Sequence, residues 1–76
     1  MLYKKYHRDY IRQFKVGARI TYKNSLQYDV VETIIRKPFT VDNKVVCIDC
    51  SMNRHRLVSP DGKLEQHITN VIQKVS

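Results

Sequence analysis

Glycine occurs only at Gly17 and Gly62, and that scarcity removes one class of function at once. Neither a phosphate-cradling P-loop nor a G-x-G-x-x-G dinucleotide turn can be built from two isolated glycines. Cysteine is equally sparse: Cys47 and Cys50 are too few and too close together for the disulfide framework of a small secreted domain, so a reducing, cytoplasmic setting is expected. No apolar run approaches the roughly 18 residues of a membrane span, and no apolar segment follows the basic residues of MLYKKYHRDY to make a signal peptide. No membrane partner is therefore expected. Proline is held to two residues while apolar side chains are spread along the whole length, which favours an ordered fold over disorder. Acidic residues are the last shortage, seven against fourteen Lys and Arg, for a net charge of +7.

Seventy-six residues make one domain, 1–76. A chain of this size buries only about 60% of the surface it exposes when unfolded. An enclosed small-molecule pocket of roughly 300 Å³ or more would take up much of the interior needed for folding. A small-molecule substrate, a cofactor and an enzymatic role are accordingly not expected. The histidines, His7, His55 and His67, have no carboxylate partner or Ser or Cys nucleophile near them in sequence from which a triad could be argued.

The positive charge is concentrated. Lys4, Lys5, Arg8, Arg12, Lys15, Arg19 and Lys23 stand against Asp9 alone in residues 1–23, a balance of +6, whereas the other 53 residues carry only +1. Tyr3, Tyr6, Tyr10 and Phe14 recur at helical spacing, and Lys4, Arg8 and Arg12 recur at steps of four on the opposite side. This pattern predicts an amphipathic helix with an aromatic inner face and a basic outer stripe, stopping near Lys15 to Gly17. Such a stripe suits an anionic partner, either nucleic acid, DNA or RNA, held through its phosphates or an acidic protein surface.

Beyond Gly17 short segments rich in Val, Ile and Thr alternate with turn residues and predict strands at Ala18 to Tyr22, Tyr28 to Arg36, Phe39 to Val41, Lys44 to Cys50 and His55 to Val58. Leu26, Val30, Val31, Ile34 and Ile35 also fit a helical face, with Asp29 and Glu32 as a capping box. The β-branched run favours a strand, because such side chains lose rotamer freedom in a helix. Asp42-Asn43 and Ser59-Pro60-Asp61-Gly62 are reversals that place antiparallel neighbours on either side. Leu64, Ile68, Val71, Ile72 and Val75 suit a C-terminal helix, while Ile68 to Val75 also fits a short helical turn followed by a closing strand.

Cys47-Ile48-Asp49-Cys50 is a C-x-x-C pair that, with His55 and His67, makes a possible zinc ligand set. The pair lies in a strand-like run, where residues three apart face opposite sides, so two buried small side chains are expected rather than a metal site. Arg54-His55-Arg56 adds a second, smaller basic cluster at an expected bend between strands.

The stretch FKVGARITYKNSLQYDVVETIIRKPF, followed by NKVVCIDC and HRLVSPDGKLEQHITNVIQKV, resembles small SH3-like barrels of the KOW and Tudor type. The shared layout is a V-G entry at Val16-Gly17 into a first strand, a longer bent strand, a hairpin, and a short turn before a last strand. The resemblance implies a binding module. The expected architecture is mainly β: a five-stranded antiparallel barrel over 16–76 with an N-terminal amphipathic helix over 1–15, or alternatively an α+β fold with a C-terminal helix. The expected function is a small basic accessory or regulatory protein that binds nucleic acid through Lys4, Lys5, Arg8, Arg12, Lys15, Arg19, Arg54 and Arg56. The alternative is an adaptor or inhibitor, of a kind small viral genomes encode, that docks its helix on a larger enzyme.

Overall fold

The computed structural model describes residues 5–74. Helix α1 (Lys5–Arg12) precedes five strands: β1 (Arg19–Lys23), β2 (Asp29–Val41), β3 (Val45–Cys50), β4 (Arg54–Val58) and β5 (Ile68–Ile72). All neighbours are antiparallel, in the order β4-β3-β2-β1-β5.

β2 determines the shape of this sheet. Its β-branched residues take the extended state, so the helical alternative over Leu26 to Ile35 does not form. The first half pairs with β1, placing Ile20 opposite Glu32, and the second half pairs with β3, placing Thr40 opposite Val46. Between them the register slips twice, from Ile34 to Arg36 and from Arg36 to Phe39. Pro38 sits next to this irregularity and has no N–H to give to a ladder, which is why two expected strands become one interrupted strand of 13 residues. β1 and β5 thereby share a core with β3 and β4, made of Ile20 and Ile68 together with Val46, Ile48, Cys50, Leu57 and Val58.

β4 and β5 are the outer strands, and the sheet is not closed by pairing between them. After the reversal at Ser59 to Gly62, the chain returns along the outer edge of β4. Glu65 N–H donates to the Leu57 carbonyl at 2.8 Å, and Val58 bridges Leu64. Ile68–Ile72 then joins β1 as a strand from its first residue, so neither the helical turn expected at the start of Ile68 to Val75 nor a C-terminal helix is present among the described residues. Two β-branched residues at Ile68 and Thr69 begin this segment, and the Thr69 hydroxyl donates to the Thr21 carbonyl at 3.1 Å.

The turns follow their residues. Asp42 and Asn43 both take positive φ, 54° and 56°, and Lys44 N–H closes the hairpin onto the Val41 carbonyl. Asn24 uses its side-chain oxygen to accept from the N–H groups of Leu26 and Tyr28, which shapes the β1–β2 connection.

The helix is rotated from its expected phase and is shorter. His7, Ile11 and Phe14 are buried, Tyr10 is half-buried, and the Tyr10 ring meets Phe14 edge-on at 5.2 Å. Tyr3 and the Tyr6 side chain lie outside the described residues. Ile11 and Phe14 are wholly apolar and buried, while Tyr10 is only partly covered, with burial raising its phenol pKa. Regular helix stops at Arg12, and Phe14 N–H donates to the Ile11 carbonyl in a tighter final turn.

Candidate nucleic-acid interface

The basic residues singled out from the sequence fall into two electrostatic classes. Arg54 donates to Asp49 at 2.7 Å, and Arg36 lies 3.8 Å from the same carboxylate. Both guanidinium groups sit over the Phe39 ring, at 3.9 Å for Arg36 and 4.9 Å for Arg54. Arg56 donates to Glu65 at 2.7 Å. These ion pairs hold the Asp49 carboxyl below, and the two paired guanidinium groups above, their usual ranges. The Arg54/Arg56 cluster is therefore already matched by acids of the same chain.

The N-terminal group differs. Lys15 and Arg19 are exposed and have no ion pair among the described residues, and Arg12 reaches Asp9 only at 3.9 Å. Arg8 is exposed, whereas Lys4 and the side chain of Lys5 lie outside the described residues.

Arg19 stands in the middle of a cross-strand row. Its register partners are Thr33 on β2 and Ile72 on β5, and all three face outward. These residues line an open groove of about 570 Å³ with Gly17, Gln73 and Lys74. Among the described residues the lining contains two cations and no carboxylate. Gly17 has φ of +92°, and a Cβ there would come within 2.8 Å of the Lys74 side chain. The missing side chain lets the Lys74 stem lie against the backbone. Gln73 ties this end of β5 to the helix terminus by donating to the Gln13 carbonyl at 2.7 Å.

Lys74 was not singled out from the sequence. It is an isolated charge near the C-terminus, and only the pairing of β5 with β1 carries it to Gly17 and Arg19. Its one local signal is weak: a single Lys just past a β-branched run.

A second polar centre lies inside the sheet. Glu32 is only 1% exposed on the inner face of β2. One carboxylate oxygen accepts from the backbone N–H groups of Met52 and Asn53 at 2.8 and 3.0 Å. The other accepts from the Tyr22 hydroxyl at 2.5 Å and the Asn53 amide at 3.2 Å, and lies 3.0 Å from His55 Nε2. Burial alone would raise this carboxyl, but the hydrogen bonds outweigh it and hold it at about 2. His55 Nδ1 continues the chain to His67 Nε2 at 3.3 Å, and the two rings stack. Burial, together with the neighbouring His55, lowers the proton affinity of His67.

The sequence-derived zinc set Cys47, Cys50, His55 and His67 does not converge. Cys50 belongs to the core cluster, whereas Cys47 lies three positions away on the other side of β3, opposite Phe39 and Arg56. Both thiols are buried and free. Glu32 was read from the sequence only as a capping or strand residue. Strand alternation puts it on the same face as Ile34, so a lone carboxylate on an apolar face was its available signal.

No helix among the described residues is long and apolar enough to cross a membrane. No protein-family model, curated protein or solved structure matches this chain.

Proposed function

We propose that this protein is a binding module rather than an enzyme, and that it holds nucleic acid by its phosphate backbone along the groove lined by Gly17, β1, β2 and the end of β5. The observation that carries the proposal is the groove lined by Arg19 and Lys74 with no carboxylate among the described residues, on a chain whose Arg54/Arg56 cluster is paired internally. Phosphates entering there would meet two cations, the Thr33 hydroxyl and the Gln73 amide. Exposed Lys15 and Arg12 extend the same positive field. The architectural side of the proposal is an SH3-like module of the KOW and Tudor layout. What supports it is the meander order with an interrupted β2, and the 64–67 segment that covers β4 on the open side.

Fluorescence anisotropy with labelled single-stranded and duplex oligonucleotides tests the function. Affinity is expected to fall by orders of magnitude between about 50 and 200 mM salt, and Arg19→Glu with Lys74→Glu should abolish it. Absence of binding, or binding indifferent to salt, would overturn the proposal. A second reading, docking on an acidic protein, is favoured by Val31 and Ile35, which are 55% and 60% exposed and alternate with Thr33 on the outer face of β2. A stoichiometric protein captured from nuclease-treated lysate, with no oligonucleotide affinity, would select it.

A further inference from the structure

Three adjacent strands each aim one metal-binding side chain at a common point in the core. Glu32 comes from β2, Cys50 from β3 and His55 from β4, and one ligand atom from each lies within 4.8 Å of the others. The register explains the convergence: Ile34 is opposite Cys50, and Ile48 is opposite His55, so all three ligands alternate with core residues on the inner face. We propose that Glu32, Cys50 and His55 form a binding site for a divalent ion of the zinc class.

The donor set is one sulfur, one imidazole nitrogen and one carboxylate oxygen, which suits a borderline ion such as Zn²⁺ better than a hard ion such as Mg²⁺. Charge supports the choice. A thiolate and a carboxylate in a buried place carry two negative charges, and a divalent ion beside them leaves the assembly neutral. Without an ion the thiol stays protonated, since burial and the Glu32 charge push it up to about 11.

The surrounding groups already orient the ligands. His67 contacts the second ring nitrogen of His55, and the backbone of Met52 and Asn53 holds the Glu32 oxygen that faces away from His55. Such outer contacts fix ring orientation and carboxylate geometry in metal sites. In the metal-free chain Glu32 and His55 are held together by a shared proton across 3.0 Å. Binding the ion at His55 Nε2 releases the Cys50 proton to solvent and displaces the proton between Nε2 and Glu32. That proton moves to His55 Nδ1 and is donated to His67 Nε2, with His67 then carrying its own proton on Nδ1. Three protein ligands leave the fourth position for water. The site is separate from the groove and does not depend on the nucleic-acid proposal.

The full chain, stripped of metal, is titrated with Co²⁺ and with Zn²⁺, and the Zn²⁺-loaded protein is studied by X-ray absorption. The expected result is a single ion per chain, a thiolate-to-cobalt charge-transfer band, and a first shell with one sulfur at about 2.3 Å and the rest nitrogen or oxygen. Cys50→Ser and His55→Gln should remove the band, Cys47→Ser should leave it, and His67→Ala should weaken affinity by about 10- to 100-fold. The absorption measurement needs no variant, so it stands even if a substitution impairs folding. No stoichiometric binding, two sulfurs in the shell, or a band that follows Cys47 instead of Cys50 would overturn the proposal.

Discussion

Glu32 draws its donors from three parts of the chain: Tyr22 on β1, the Met52-Asn53 turn, and His55 on β4. A buried carboxylate is costly to desolvate unless its oxygens are occupied, and here both are. Glu32→Gln keeps the shape but replaces one acceptor oxygen with a donor, so an NH₂ group must face either the two backbone N–H groups or the Tyr22 and Asn53 side. The metal-free protein should lose about 2–4 kcal/mol by urea unfolding. Tyr22→Phe, which removes one of several donors, should cost about 1–2 kcal/mol. A Glu32→Gln chain as stable as the parent would show that the network does not support the fold. At this scale the sequence was uneven in what it disclosed. The opposite orientation of Cys47 and Cys50 follows from strand alternation alone. The partners of Glu32 do not, because the Met52-Asn53 turn comes to it only through β2–β3 and β3–β4 pairing.

Elements were legible where residue type and local period agreed. The Asp42-Asn43 hairpin, the strand character of β2 and the reversal at Ser59 to Gly62 all follow from side chains acting on their own backbone. The helix face did not follow, because aromatic spacing and aliphatic spacing coexist in residues 3–14, and the choice of Ile11 over a tyrosine for the buried position is made by the sheet beneath it. Sheet closure is likewise a long-range property that no local pattern specifies. The two glycines separate local from long-range roles experimentally. Both have positive φ, +92° at Gly17 and +84° at Gly62, so Ala at either should cost about 1–2 kcal/mol. Around Gly62 a Cβ meets nothing within 4 Å, whereas at Gly17 it meets the Lys74 side chain. A lysine stem is flexible and moves aside, which displaces its charge from the groove. Gly17→Ala should therefore weaken oligonucleotide binding in addition to lowering stability, while Gly62→Ala lowers stability only. Equal effects of both on affinity would mean that Lys74 is not placed by Gly17.

Across the whole molecule, the net charge of +7 is less informative than its division by pairing. The face that carries Arg36, Arg54 and Arg56 also carries Asp49 and Glu65, and its charges largely cancel within the protein. Arg19 and Lys74 share the groove, and neither they nor exposed Lys15 have such partners among the described residues. Counterion release makes this difference measurable, because each phosphate neutralised by a protein cation contributes about 0.9 to the slope of log K against log salt on duplex DNA. Replacing Lys15, Arg19 and Lys74 together by Gln should flatten that slope by up to about 2.7, if all three meet phosphates. Replacing Arg36, Arg54 and Arg56 by Gln should leave the slope nearly unchanged, since those guanidinium groups would have to break contacts with Asp49 or Glu65 before meeting a phosphate. The Gln triples keep the side chains polar and leave the buried core residues as they are, so far-UV circular dichroism should be the same for both. A slope that falls with the second set and not with the first would place the interface on the Phe39 face and remove the groove from consideration.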